Sequence, residues 1–331
     1  MAQRFTSLEL CAGAGGQALG LERAGFDHLG AVEIDADCCA TLRRNRPGWL
    51  VLQQDLREFA RGDLAAFTGV DLLAGGLPCP PFSAAGKQLG ERDERNLFPA
   101  ALDLVEALAP RAVMIENVRG FLGAAFADYR AHIVERFDQL GYRVQWRLLH
   151  ASDFGVPQLR PRVVIVAMRP EMVPLFAWPA VPVRNPVTVG EALGDLMGAN
   201  GWRGADRWRA GADGIAPTLV GGSKKHGGPD LGPTRARLAW VALGVNGKSL
   251  ADEAPGHDFV GLPRLTVPMV ARIQGFPDDW HFTGRKTAAY RQVGNAFPPP
   301  VAEAVAAQIR DALEAAVRPV AQIEVIQAEA A

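Results

Sequence analysis

A cysteine held between prolines is the most reactive feature of this 331-residue chain: Pro78-Cys79-Pro80-Pro81 follows the apolar run Val70 to Ala74 and the pair Gly75-Gly76. Prolines remove backbone freedom and hold a thiol in place, and open α/β sheets put their chemistry at strand ends. A lone cysteine is more often a buried structural thiol, but the flanking prolines and the strand end favour a nucleophile here. The polar, glycine-containing stretch from Ser83 to Gly90 has the composition of a closing lid. A second reactive type, Glu116, directly follows the apolar run Ala112 to Ile115. Taken alone it reads as readily as a capped surface acid. Arg160 and Arg162, taken alone, read as a solvated strand face.

A third constellation is Gly13-Ala14-Gly15-Gly16-Gln17-Ala18, placed between a strand-like segment and a helix-like one. Glycines there let the backbone approach a ligand closely. Glu33 stands 20 residues after Gly13, at the end of the next strand, where a carboxylate can accept two ribose hydroxyls. The loose pattern G-x-G-x-x-A is met. It serves NAD and S-adenosylmethionine equally well, and it also describes a tight turn with no ligand. Asp55, after Trp49 to Leu52, is placed either to cap a helix or to accept from an adenine amino group.

The elements that must position these residues alternate between strand and helix. Strands are expected at Phe5 to Leu10, Ala31 to Ile34, Val70 to Ala74 and Ala112 to Ile115. Helices are expected at Gln17 to Ala24, Asp37 to Arg44, Leu97 to Leu108 and Ala125 to Leu140. Val144 to Leu149 and Val163 to Met168 read as a later, antiparallel pair. The pattern is that of a doubly wound α/β sheet. After about residue 170 prolines punctuate a linker-like segment, and the stretch from 200 to 262 is glycine-rich with weak periodicity. A short helix near Pro268 to Ile273 and an amphipathic helix from Pro300 to Ala316 follow, then a frayed tail from about 320.

Read together, these motifs resemble the DNA cytosine-5 methyltransferase family over nearly the whole chain. The resemblance runs through Glu9 to Gly16, Pro78-Cys79, Glu116-Asn-Val118 and Gln158-Leu-Arg-Pro-Arg162. It continues through Arg264-Leu-Thr266 with Gln274-Gly-Phe-Pro277, and Gln292-Val-Gly-Asn295. Each motif is short, and their shared order carries the identification. It implies a Rossmann-like, S-adenosylmethionine-dependent α/β fold. Residues 1–175 plus 291–331 would form the catalytic, cofactor-binding domain, and residues 176–290 the target-recognition domain.

The resemblance also implies roles. Cys79 would add to carbon-6 of cytosine, because carbon-5 is too poor a nucleophile until a thiolate makes the ring enamine-like. Glu116 would hydrogen-bond or protonate ring N3 with a pKa raised by burial. Arg162 would hold the ring O2, with Arg160 assisting. The cofactor would lie on Leu10, Cys11, Gly13, Gly15, Gly16, Glu33 (ribose), Ile34, Asp55 (adenine), Leu56, Pro78, Leu97, Asn295 and Ala296. The family often has phenylalanine at the position of Cys11, so a smaller stacking surface is expected. DNA contacts would come from Ser83, Gln88, Thr218, Lys224 and Lys225, and the target base would be flipped out of the duplex.

Composition narrows the alternatives. Hydrophobic residues make up 48%, charged residues 21%, and the formal net charge is -1. A polyanion-binding surface must therefore be local. Residues 201–250 supply one, with eight basic side chains against three acidic. No apolar run suggests a membrane span, and the start lacks the apolar stretch of a signal peptide, so a bacterial cytoplasmic location is expected. The four cysteines have no CxxC spacing, so neither a metal site nor a disulfide scaffold is expected. The expected partners are double-stranded DNA and a cognate restriction endonuclease, with the chain itself a monomer. A solitary regulatory DNA methyltransferase is the alternative. A tRNA cytosine-5 methyltransferase, a non-catalytic DNA-binding relative and an NAD-dependent dehydrogenase rank lower.

Overall fold

The computed structural model describes residues 4–78, 96–181, 185–222 and 228–317. Its centre is a seven-stranded sheet of order β3-β2-β1-β4-β5-β8-β6. The strands are β1 (Phe5–Leu10), β2 (Phe26–Glu33), β3 (Val51–Gln53), β4 (Leu72–Gly76), β5 (Ala112–Val118), β6 (Arg143–His150) and β8 (Pro161–Met168). The first five run parallel. β8 lies antiparallel to both β5 and β6.

Parallel strands covered on both faces read as apolar runs, and β5 is buried from Ala112 to Asn117. Alternation divides β1 between two cores. Leu8 and Leu10 join one with α4 (Phe98–Leu108) and α5 (Ala127–Gln139). Phe5 joins the other with α1 (Gly16–Arg23) and α11 (Pro299–Val317). α11 thus returns to the first half of the chain, as its amphipathic pattern suggests. The return is close: a side-chain carbon on Gly20 would lie 2.5 Å from Ala302 Cβ.

Several elements differ from their sequence reading. β2 begins at Phe26, earlier than the expected Ala31, because Asp27 and His28 interrupt the apolar pattern. The stretch from 200 to 262, read as weakly periodic, contains the short helices α7 (Ala205–Gly211) and α8 (Thr234–Ala242), and α6 (Val189–Met197) forms in the segment read as linker-like, whereas α9 (Val267–Ile273) falls where a short helix is expected. Helix α10 (Lys286–Asn295) runs across the expected 290/291 boundary. The core of this half, including Leu193, Trp208, Trp240 and Leu265, is continuous with Ala12, Leu19 and Leu42 of the first half. Helices α2 (Ala36–Asn45) and α3 (Leu56–Ala60) follow β2 and β3, and a two-residue ladder joins β7 (Gln158–Leu159) to β9 (Ala216–Pro217). The tail expected to fray from about 320 lies outside the described residues. Among the described residues no helix is long and apolar enough to cross a membrane, and no group of three or more His, Cys, Asp or Glu side chains could hold a metal ion.

Candidate active site

Strand direction builds the site. Because β8 is antiparallel to β5, the start of β8 meets the end of β5, with Arg162 opposite Val118. A parallel strand would have carried Arg162 to the other edge of the sheet. Glu116 and Arg162 meet there, Nε to Oε1 at 2.6 Å, with both side chains largely buried. Burial pushes the Glu116 carboxyl above its usual range, against the opposing charges of Arg162 and Arg160. Gly76, at the end of β4, pairs in register with Glu116, and a side-chain carbon on it would sit 3.6 Å from Glu116 Oε2. β4 therefore delivers the chain beside this carboxyl, two residues before the half-buried Pro78 and three before Cys79. Cys79 itself, like Ser83, Gln88, Lys224 and Lys225, lies outside the described residues.

Arg160 is 1% exposed. Its Nη1 donates to Leu219 O at 2.8 Å, and its Nη2 donates to Gly294 O and Ala296 O at 2.9 Å each. Gln158 adds to the clasp, accepting from Leu219 N and donating to Gln274 Oε1, both at 2.8 Å. The two residues stitch the segment around Thr218 to the end of α10. Thr218 Oγ1 donates to Leu159 O, and Asn295 Nδ2 donates to Gly222 O at 3.1 Å. The geometry thus gives Arg160 a positioning task, while Arg162 faces the acid.

A second cluster gathers at the neighbouring strand ends. Glu33 Oε2 accepts from Gly13 N and Oε1 from Asp35 N, both at 2.7 Å. Burial raises its pKa, and the two N–H donors oppose that shift. Ile34, beside it, is 63% exposed, an apolar surface open to a planar ligand. Asp55 caps α3, accepting from Arg57 N at 2.7 Å, with Leu56 buried behind it. Cys11 and Leu97 border the same apolar cluster as Leu10 and Leu56. Burial and the charges of Glu33, Glu9 and Asp55 push the Cys11 thiol far above its usual range, so it is a neutral contact group. Gly15 takes φ +88 at the N-cap of α1, a conformation glycine adopts at no steric cost. A side-chain carbon on Gly16 would meet Phe297 O at 2.2 Å.

The sequence reading missed three groups here. Glu9 lies within the glycine motif but was given no role. It is fully buried, both carboxyl oxygens have no partner among the described residues, and burial raises its pKa strongly. Gln17, second residue of α1, is also buried with its amide unpartnered. A polar residue in the middle of an apolar strand, as Glu9 is, was the available signal. The third is Trp280, taken up below. Unsatisfied buried polar groups cost stability unless a ligand or water meets them.

Comparison with known proteins bears on this geometry. The family model for the C-5 cytosine-specific DNA methylases matches residues 5–226 and 242–311. The chain is 56% identical over 314 residues to the Type II methyltransferase M.NaeI of Lentzea aerocolonigenes, covering 94% of this chain and 76% of the relative. It is 55% identical over 314 residues to the Type II methyltransferase M.NgoMIV of Neisseria gonorrhoeae, covering 94% and 99%. In fold it is similar to the Entamoeba histolytica methyltransferase EhMeth, with a TM-score of 0.65 at 15% identity over 96% of this chain and 100% of that one.

Proposed function

Because this chain belongs to the C-5 cytosine-specific DNA methylases and is a DNA cytosine-5 methyltransferase, we propose that it methylates a cytosine flipped out of double-stranded DNA, using S-adenosylmethionine and a covalent bond to Cys79. The carrying observation is the buried Glu116–Arg162 pair at the joint of β5 and β8. A carboxyl biased toward its protonated form can donate to ring N3, while the Arg162 guanidinium, a donor only, holds O2. The Cys79 thiolate forms a bond to C6, the proton from Glu116 settles on N3, and electron density moves to C5. When bound, S-adenosylmethionine supplies an electrophilic methyl group. After methylation C5 gives its proton to a base, the C6–S bond breaks, and N3 returns its proton.

The residues present fit the cofactor. Glu33 and Ile34 would hold the ribose and adenine edge, with Asp55, Leu56, Leu10, Cys11 and Leu97 around the ring. Gly13, Gly15, Gly16, Pro78, Asn295 and Ala296 would line the remainder. Residues 176–290 would read the DNA, with Thr218, Lys224 and Lys225 at the backbone and Ser83 and Gln88 closing over the flipped base. The names of the two Type II relatives support a role as the modification half of a restriction-modification pair, acting as a cytoplasmic monomer beside a cognate endonuclease.

Bisulfite sequencing of a bacterial genome expressing the chain identifies the methylated sequence. Duplexes bearing 5-fluorocytosine at that position, whose fluorine blocks the final proton loss, should then become covalently attached at Cys79 when S-adenosylmethionine is present. Absence of any such adduct overturns the mechanism, and capture of tRNA in place of DNA overturns the substrate.

A further inference from the structure

Trp280 lies within residues 176–290, far from the glycine turn in sequence, yet its indole reaches that turn. It is 4% exposed. Its Nε1 donates to Ala14 O at 3.1 Å. A side-chain carbon on Gly15 would sit 2.8 Å from its ring, so the turn lies directly against the indole. The other external tie on this turn is Glu33, which accepts from Gly13 N. Within the turn, Gly15 N donates to Ala12 O at 3.0 Å. The Ala14–Gly15 peptide is therefore bonded at both ends, and Trp280 is the end supplied from far away in sequence.

The same indole belongs to a cluster that grips α1 at both ends. The Arg46 guanidinium lies 5.1 Å from the Trp280 ring and 5.8 Å from the Trp49 ring. Arg46 also donates to both carboxyl oxygens of Glu22 at 2.7–2.9 Å, near the last turn of α1. Trp280 thus holds the start of α1 while Arg46 holds its end.

We infer that Trp280 is a positioning residue for the cofactor turn: its indole N–H fixes the Ala14–Gly15 peptide and through it the backbone at Gly13 to Gly16. The inference rests on reading that turn as the S-adenosylmethionine site. A buried neutral hydrogen bond is worth roughly 0.5–1.5 kcal/mol, so Trp280→Phe should weaken S-adenosylmethionine about 3- to 10-fold.

Calorimetric titration of S-adenosylmethionine into the whole protein tests this, with Trp49→Phe as the control that alters the same aromatic cluster but leaves the Ala14 contact. The expected result is a raised Kd and a raised KM for S-adenosylmethionine in Trp280→Phe, with kcat at saturating cofactor and DNA affinity near wild type. Trp49→Phe should bind as wild type does. If Trp280→Phe loosens the fold, benzothienylalanine installed at position 280 keeps the ring shape and removes only the N–H, and it should show the same rise in Kd. Wild-type Kd in both position-280 variants, or an equal loss in Trp49→Phe, overturns the inference. If wild type itself fails to bind S-adenosylmethionine, the cofactor reading beneath it falls instead.

Discussion

The two halves of this molecule are built on different principles. The sheet half places its reactive groups by strand ends: Glu33 closes β2, Gly76 closes β4, and Glu116 lies near the end of β5. The other half has short helices and loops, and among its described residues its only ladder to the rest is the two-residue pair β7–β9. Its shape is set by side chains bonding backbone carbonyls, as Arg160 does at Leu219, Gly294 and Ala296. The lesson is that the sheet half sets its side chains by regular backbone, while the other half is held by a few buried polar clasps.

This division makes substitutions in the two halves fail differently. The largest effect should come from Glu116. Its alanine variant should lose about 10²- to 10⁴-fold in kcat while still binding both DNA and S-adenosylmethionine, as single-turnover assays and calorimetry would show. The pH dependence has a definite sign. On the proposed mechanism protonated Glu116 is the active form, so turnover should fade as pH rises through its raised pKa. Glu116→Gln keeps a neutral donor and should lose the alkaline limb. An unchanged alkaline limb in that variant would remove Glu116 as the proton donor.

A middle effect should come from Arg160→Ala, which strands the buried carbonyls of Leu219 and Gly294, while Gln274 Nε2 still donates to Ala296 O. The loss should be about 3 kcal/mol or more of stability in urea denaturation, with weaker DNA binding by the remaining folded protein. Stability near wild type would show that water satisfies those carbonyls and that the clasp is dispensable. The smallest effect should come from Lys224→Gln with Lys225→Gln. Binding should weaken across all sequences, and the slope of log affinity against log salt should shrink by about one per lysine, with kcat untouched. An unchanged slope would take both lysines out of the phosphate-facing surface.

The same division explains what the sequence disclosed. β1 was legible to the residue because Phe5, Leu8 and Leu10 run straight into a glycine-rich turn, despite Thr6, Ser7 and Glu9, and α11 nearly so because its buried positions recur at helical spacing. The antiparallel relation of β6 and β8 was also legible, whereas the meeting of Arg162 with Glu116 depends on β8 pairing with β5 and was implied only by the family resemblance. Helix α8 was not, since its apolar residues fall on no single face and Leu238 and Val241 stay exposed. Helix α6 carried a signal that was passed over: Thr188 and Glu191 form a capping box at its start. Trp280 was invisible for a different reason. Its partner, Ala14 O, is a backbone atom in a distant turn, and no residue type announces a carbonyl.

Helix α11 has a consequence for how the enzyme is born. The wall that completes the glycine turn, Phe297 O against Gly16, and the helix that covers α1 both come after Cys79, Glu116 and Arg162 in the chain. Such distant contacts are slow to form, and early strands wait for them. On the proposed reading, a nascent chain therefore carries its reactive residues well before the turn that would hold a methyl donor is complete.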